Sequence, residues 1–579
     1  MSDMKIHGIQ MNPTVGDIDS NAAKIRKFYD EAVADGAELV VFPECALTGY
    51  PLGDLVLNEA FVVAAMDKSR DIFDPRVDKV PVIFGSVAAN PRGETENVAI
   101  VYDPSNLIVY RSVSKTKLPN YGVFDEVRHF KAATNNTTPI KITVGGKRVS
   151  VGILICEDSW YPEVGETLAH AGAEILVVIN GSPFEEDKML KRLAVISDLR
   201  DRTKLPIIYV NMVGGQDELV FDGRSFGLLS RGGYMRVPAT MNEEVVRFVV
   251  SPATLAGIAS NVDIPLSYTE ARPYTLAAIY YAMVVGLRDY LSKSGFKKVL
   301  LGYSGGVDSG LVAAIACDAI GAENVLLVSL PSKYSSDHSK SDAATGAKLL
   351  GCELRTVAIE PVVQSFRDAL RTDISMEVEG VADENLQPRA RGTILMAISN
   401  QENRLLLSTG NKSEVAVGYS TLYGDMCGGF NPLKDCYKTL VWELCRWRNS
   451  LNNVSLTEHA LSNLGIVGEV GRLLGVDGVV VPEEIIAKPP SAELRPDQQD
   501  TDSLPPYEVL DAILKLMVEH DKANGQIIAD GFDVETVVKV RKLFNGAEHK
   551  RRQAPMGVKI TSRTFISERR YPVVNRWHG

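Results

Sequence analysis

Two sets of residues in this chain have types and spacings that can do chemistry. The first lies in LLGYSGGVDSGL, Leu300 to Leu311, which reads as a buried strand, a glycine turn and the start of a helix. A turn between a parallel strand and a helix sits at the carboxyl edge of a sheet, where ligands bind. Gly305 and Gly306 let the backbone approach a ligand closely, and the free N–H groups of the helix start suit a phosphate. Ser304 and Ser309 add hydroxyl donors, and Asp308 is available to a magnesium ion. The pattern GxxxxGK[ST] is absent, so the turn holds a different part of a nucleotide. Two glycines alone would be an ordinary tight turn. Five matching positions at one strand–helix junction favour a phosphate cradle.

The second set is spread over VFPECALTGYPLGDL (41–55), VSKTKLPNYGVFDEVRHF (113–130) and VGILICEDSWYPE (151–163). Each block places a reactive side chain at the end of a strand-like run: Glu44, Lys115 and Cys156. A thiol is mostly protonated near neutral pH and needs a base or a cation to become a nucleophile. Glu44 can take the proton. Lys115 can stabilise the thiolate and the oxyanion of a tetrahedral intermediate, with help from the backbone N–H of Glu157. Alone, Cys156 would read as buried filler and Glu44 as a loop carboxylate.

The elements that must position these groups fall into two patterns. Over the first 250 residues short strand-like runs alternate with turns, as in KIHGIQM (5–11), ELVVFPE (38–44), VPVIFGSVA (80–88), VSVGILICED (149–158) and EILVVIN (174–180). A helix is expected over 20–36, capped by Ser20 or Asp19. The pattern implies layered sheets covered by helices. Residues 251–272 read as a linker between an amino-terminal domain, 1–250, and a carboxyl-terminal domain, 273–579. From 273 strand and helix alternate, with helices expected over 273–294, 309–320 and 339–350. That alternation predicts a doubly wound parallel sheet. The proline-rich stretch 487–507 should bury little and form a mobile loop, suited to act as a lid.

Bulk composition bounds the function classes. A chain of 579 residues is too long for one core, and 45% apolar with 23% charged residues is ordinary globular composition. A formal charge of -11 argues against a surface built for long nucleic acid. The seven cysteines are scattered without a CxxC pair, which favours free thiols in a reducing, cytoplasmic setting over disulfides or zinc. No apolar stretch approaches the roughly 20 residues of a membrane helix, and the start lacks the form of a signal peptide.

The motifs carry two family resemblances. SGGVDS (304–309) resembles the loop that holds the pyrophosphate portion of ATP in the ATP pyrophosphatase superfamily. ADENLQPRARGTILMAISN (382–400) and LLLSTGNKSEVAVGYSTLYGDMCGGFNPLKDCYKTLVWEL (405–444) resemble the NAD synthetase branch. That resemblance implies an ATP site made of Gly302, Tyr303, Ser304, Gly305, Gly306, Val307, Asp308, Ser309, Thr409 and Lys438. It implies magnesium on Asp308 and Glu414, arriving with ATP as substrate, and no tightly bound organic cofactor. It points Asn385, Arg389, Glu414, His549 and Lys550 at deamido-NAD. Leu422 stands where many ammonia-using members carry lysine, a departure common in the glutamine-using branch.

The three amino-terminal blocks are similar to the Glu–Lys–Cys triad of the nitrilase superfamily, with Glu126 resembling its second, supporting glutamate. Lys115 is preferred to Lys117 because the family lysine lies three places before the leucine, here Leu118. An amidase joined to an NAD synthetase resembles the glutamine-dependent NAD synthetase family, which assigns glutamine to Tyr121, Ser182 and Lys188. The implied architecture is α/β: a nitrilase-like αββα sandwich followed by a doubly wound ATP pyrophosphatase domain. The implied partners are the small molecules ATP, deamido-NAD and glutamine, with no nucleic acid and no membrane, in a homo-oligomer. A tRNA-modifying enzyme with the same ATP loop would want a basic surface, and the blocks GYSTLYGD and NPLKDCYKT speak against an amidotransferase that makes GMP.

Overall fold

The computed structural model describes residues 4–577 apart from 107, 135–136, 231–233, 236–240, 251–267, 452–477 and 497. The chain divides into two compact units, Met1–Ser267 and Tyr268–Gly579. Most of the expected linker, from 251 to 267, lies outside the described residues, and the rest of it belongs to a helix, Tyr268–Ser294.

The first unit is built on two six-stranded sheets. One orders its strands Glu244–Val250, Met4–Gln10, Leu39–Val41, Val82–Ala89, Thr95–Tyr102 and Tyr110–Ser114. The other runs Tyr234–Met235, Phe226–Leu228, Ile207–Asn211, Ile175–Asn180, Lys147–Ile155 and Ile140–Val144. Side chains alternate across a strand, and the central runs are apolar on both faces. Thus Val151, Ile153 and Ile155 join Ile6, Val41 and Ile83 of the other sheet in one core between the layers. Leu154 faces the opposite way, onto Leu168 and Leu199 of helices Pro162–His170 and Lys188–Thr203. The first sheet's outer face is covered by Ile25, Phe28 and Tyr29 of helix Ile18–Ala34. The result is the αββα sandwich. The first helix is capped by Asp17, which accepts the Ser20 N–H, rather than by the expected Ser20 or Asp19.

The second unit carries a four-stranded parallel sheet in the order Glu353–Thr356, Val325–Ser329, Val299–Gly302, Leu405–Leu407. The strand order reverses between Val299–Gly302 and Leu405–Leu407, and the crevice outside their carboxyl ends is where such sheets bind ligands. Helices Val307–Ile320, Asp337–Leu350 and Val381–Glu402 cross between the strands. A second apolar cluster packs Leu510, Ile513 and Leu514 of helix Tyr507–Val518 against Val415 and Val417 of the short helix Lys412–Val417.

The proline-rich stretch buries little, as expected, but it is anchored at a few points. Asp500, Leu504 and Tyr507 are buried. The Gln387 amide donates to the Leu494 carbonyl at 3.0 Å, and Ser339 Oγ donates to Glu493 at 2.6 Å. Polar composition hid these anchors because each is a long-range side-chain contact.

Candidate active sites

In the first unit, buried charged groups meet where strands end. Glu44 lies shortly after strand Leu39–Val41, Lys115 follows Tyr110–Ser114, and Cys156 follows Lys147–Ile155. Lys115 Nζ stands 2.8 Å from Glu44 and 2.9 Å from Glu126, all three side chains being closed to solvent. Glu44 also accepts the Asn97 amide and the Gly181 N–H, each at 2.8 Å. The Tyr50 hydroxyl donates to Glu126 at 2.9 Å. Gly85 makes room for the Glu44 turn, since a Cβ there would lie 2.1 Å from the Cys45 nitrogen.

Burial works against charge on Lys115, but Glu126 and Glu44 outweigh it and hold the ammonium well above its usual range. Burial lifts Glu126 to about 7, with Lys115 pulling the other way. Burial, then the charge of Glu44, pushes the Cys156 thiol well up, partly countered by Lys115. The thiol therefore rests protonated, and attack requires a base that takes its proton as the bond forms.

Cys156 holds φ 47, a left-handed conformation rarely adopted by residues with a Cβ. The surrounding bonds enforce it. Asp158 accepts the Ile155 N–H at 3.1 Å, and Ser159 Oγ donates to the Cys156 carbonyl at 2.7 Å. The other Asp158 oxygen accepts the N–H groups of Thr116 at 3.0 Å and Lys117 at 2.8 Å. One carboxylate thus fastens the turn after Lys115 to the turn of the thiol. Lys117 points elsewhere, to Glu163 at 2.9 Å on the surface.

The expected glutamine residues fall around this array. The Tyr121 hydroxyl donates to both oxygens of Glu157, at 3.1 and 2.9 Å. Lys188 Nζ lies 5.1 Å from the Trp160 ring centroid, and its charge acts on Glu157. Ser182 follows strand Ile175–Asn180 and is buried, its hydroxyl accepting from Arg192 at 3.0 Å.

In the second unit, Gly302 to Ser309 line a cavity of about 350 Å³ together with Thr409, Glu414 and Lys438. The turn is tightly built. Gly305 has φ +78, and a Cβ on it would lie 2.6 Å from the Ser339 carbonyl oxygen. Ser304 Oγ accepts the Gly306 N–H at 3.2 Å and stands 3.2 Å from Ser309 Oγ. Lys438 pairs with Asp308, whose other oxygen accepts the Asn411 amide at 3.0 Å. Burial, then Asp308, raises Glu414 to about 8, so two carboxylates face one another with Lys438 between their fields.

The expected dinucleotide residues divide. Asn385 accepts the Thr421 hydroxyl at 2.7 Å and Arg389 Nε donates to the Leu422 carbonyl at 3.2 Å. Lys550 Nζ donates to the carbonyls of Gly418 and Ser420, both at 2.7 Å. These three converge on the segment 418–422 beside the cavity. His549 is exposed, its ring nitrogen 3.1 Å from the Gly546 carbonyl oxygen.

Two family models match, carbon–nitrogen hydrolase over residues 8–246 and NAD synthase over residues 279–554. A glutamine-dependent NAD(+) synthetase of Rhodobacter capsulatus is 44% identical over 568 residues, 98% of each chain. The chain belongs to the glutamine-dependent NAD(+) synthetase family. Another member, from Acinetobacter baylyi, is 40% identical over 100% of this chain and 99% of its own. A solved glutamine-dependent NAD+ synthetase from Acinetobacter baumannii, in complex with adenosine diphosphate, matches with a TM-score of 0.73 and 38% identity, covering 99% of both chains. A glutamine-dependent NAD(+) synthetase structure from Cytophaga hutchinsonii shares the fold at a TM-score of 0.77 and 20% identity.

Against that NAD(+) synthetase background, sequence reasoning missed Asn97, the Glu157 side chain and Asp158 in the first unit and Asp500 in the second. The signal for Asp158 was present in CEDSW, two acids directly after the thiol. Asp500 lines the cavity and accepts the Tyr507 hydroxyl at 2.9 Å. Nothing in its polar neighbourhood marked it.

Proposed function

We propose that this chain hydrolyses glutamine at the Cys156 array and uses the ammonia to convert deamido-NAD to NAD at the 302–309 turn, with ATP as the activating substrate. The observation that carries the reading is the fully buried Lys115 shared between Glu44 and Glu126 at 2.8 and 2.9 Å, at the strand ends that also deliver Cys156.

In the first half-reaction Glu44 takes the thiol proton as Cys156 attacks the side-chain amide carbon of glutamine. Lys115 and the Glu157 N–H stabilise the oxyanion. Collapse expels ammonia, the proton returning through Glu44, and leaves a glutamyl thioester. Water activated by Glu44 releases glutamate. A free amino acid presents an ammonium and a carboxylate, and Glu157 and Lys188 offer the opposite charges, with Tyr121 orienting Glu157 and Ser182 closing the site.

In the second half-reaction the nicotinate carboxylate attacks the α-phosphate of ATP, pyrophosphate leaves, and ammonia displaces AMP from the acyl-adenylate. Adenylation is required because a carboxylate is a poor acyl donor. Ser304, Ser309 and the N–H groups of the turn hold the departing pyrophosphate. Lys438 neutralises phosphate charge, and Thr409 contacts ATP. Asp308 and Glu414 are hard oxygen donors facing one cavity, and they fit a magnesium ion that enters with the nucleotide. Bound there, the metal would neutralise phosphate charge. Asn385, Arg389, Lys550 and Glu414 flank the dinucleotide, and the family resemblance adds His549. We place the protein in the cytoplasm as a homo-oligomer. All seven cysteines are free thiols, no helix among the described residues is long and apolar enough to cross a membrane, and the family resemblance supports self-association.

The test uses purified protein with ATP, magnesium and deamido-NAD, and either glutamine or ammonium as nitrogen source. Cys156→Ala should abolish the glutamine-driven reaction and spare the ammonium-driven one. Loss of both would overturn the division of labour.

A further inference from the structure

Seven cysteines are present, and the mechanism uses one. Two others meet at a place no motif marks: Cys317 Sγ and Cys352 Sγ lie 3.2 Å apart. Cys317 is fully buried in the last turn of helix Val307–Ile320, while Cys352 is half-buried just after helix Asp337–Leu350. The backbone at Cys352 is fixed, its N–H donating to the Ala347 carbonyl at 3.0 Å. A disulfide needs the sulfurs at about 2.05 Å, so closing the bond takes a sulfur displacement on the order of 1 Å.

The two thiols are also chemically unequal. The hydrogen bond between the two sulfurs, in which either can be the donor, and then burial push the Cys317 thiol up. The same bond holds the Cys352 thiol below its usual range, against its own burial. Cys352 is the more exposed of the two and so the sulfur that an external disulfide can reach, and the buried Cys317 is the resolving partner.

The location links the pair to ATP. Helix Val307–Ile320 starts with Val307, Asp308 and Ser309 in the cavity, and helix Asp337–Leu350 places Ser339 and Lys340 there. The two helices touch tightly at that end, where Gly305 lies against the Ser339 carbonyl. Between the cavity and the sulfurs stands Tyr303, whose hydroxyl packs on Gly346 so closely that a Cβ there would lie 2.1 Å away. After burial, the charges that raise the Tyr303 hydroxyl are those of Cys352, Cys317, Cys445 and Asp342.

We propose that Cys317 and Cys352 form a reversible disulfide that staples these two helices and thereby weakens ATP use in the second unit, while glutamine hydrolysis in the first is not its target. The oxidant is a small-molecule disulfide such as oxidised glutathione. The Cys352 thiolate attacks one of its sulfurs, forming a mixed disulfide and expelling one small thiolate. The Cys317 sulfur then attacks Cys352 Sγ and expels the second small thiolate, which takes the Cys317 proton and leaves as a thiol. Two protein thiols are oxidised and one external disulfide is reduced to two thiols. The effect on ATP rests on the ATP reading of the 302–309 turn; the cross-link does not.

The full chain is incubated with oxidised glutathione, digested without reductant and mapped by mass spectrometry. Activity is followed with ammonium as nitrogen donor, so that oxidation of Cys156 does not enter. The expected result is a linked peptide pair joining Cys317 to Cys352, a several-fold rise in the KM for ATP in step with it, and reversal of both by dithiothreitol. Cys352→Ser, at the half-exposed position, should abolish the link and the rise in KM, and Cys317→Ala should leave only a mixed disulfide on Cys352. Absence of the linked pair overturns the proposal, and so does a linked pair that leaves the KM for ATP unchanged. Failure of the unoxidised protein to use ATP and ammonium would instead overturn the functional reading above.

Discussion

Lys115 and Lys117 are two residues apart in one loop, and the chemistry assigns them opposite fates. Lys115 is enclosed, with Glu44 and Glu126 as its carboxylate partners. Removing its charge leaves two buried carboxylates uncompensated, which costs about 3–5 kcal/mol. Lys117 makes a solvent-exposed pair with Glu163, and such pairs are worth about 0–1 kcal/mol. Lys115→Met should therefore lower the unfolding free energy in a urea titration by several kcal/mol and abolish glutamine hydrolysis. Lys117→Ala should shift the midpoint little and retain hydrolysis. Equal effects of the two would break the assignment of Lys115. The sequence made this choice readable because the spacing to Leu118 distinguishes the two lysines. It did not make Asn97, Gly181 or the partners of Asp158 readable. The bonds of the first two to Glu44 and of Asp158 to Thr116 and Lys117 cross 53, 137, 42 and 41 residues, and they depend on backbone direction rather than on residue type.

At the scale of elements, the strands and helices that carry reactive groups were legible because their apolar runs are long and their turns are marked by glycine. The helix expected over 309–320 is observed as Val307–Ile320, and that expected over 339–350 as Asp337–Leu350. Both begin two residues earlier than periodicity suggested, since Asp308 and Ser309 in one and Asp337, His338 and Ser339 in the other break the apolar rhythm. The stretch 487–507 buries little, as its composition implies, but its anchors were not legible, because Asp500 and Tyr507 bond each other rather than follow an apolar rhythm. The glycine turn offers a direct test at this scale. A methyl group on Gly305 would enter left-handed backbone at φ +78 and press within 2.6 Å of the Ser339 carbonyl oxygen. The strand and helix on either side cannot both stay in place. Gly305→Ala should abolish ATP binding measured by calorimetry and leave glutamine hydrolysis, measured as glutamate release, close to that of the unaltered chain. Retained nucleotide binding would show that the cradle is elsewhere.

For the whole molecule, the joining of two chemistries in one chain poses a problem of proton equilibrium. Ammonia released into water near neutral pH becomes mostly ammonium, which has no lone pair for attack on an acyl-adenylate. A chain that hydrolyses glutamine to feed a ligase gains from the arrangement only if ammonia reaches the second site before it equilibrates with solvent. This requirement follows from the chemistry and can be tested without reference to any path. NAD formed from glutamine labelled with heavy nitrogen in its side-chain amide, in the presence of excess unlabelled ammonium, should carry the label in nearly every molecule at neutral pH. Equilibration with solvent would instead dilute the label to the composition of the medium, and the dilution would deepen as ammonium is added. Raising the pH increases the free-base fraction of the competing ammonium, so the retained label should fall as the medium becomes alkaline. A label that is diluted at neutral pH in step with the ammonium added would mean that the two units act as independent enzymes joined only by the chain.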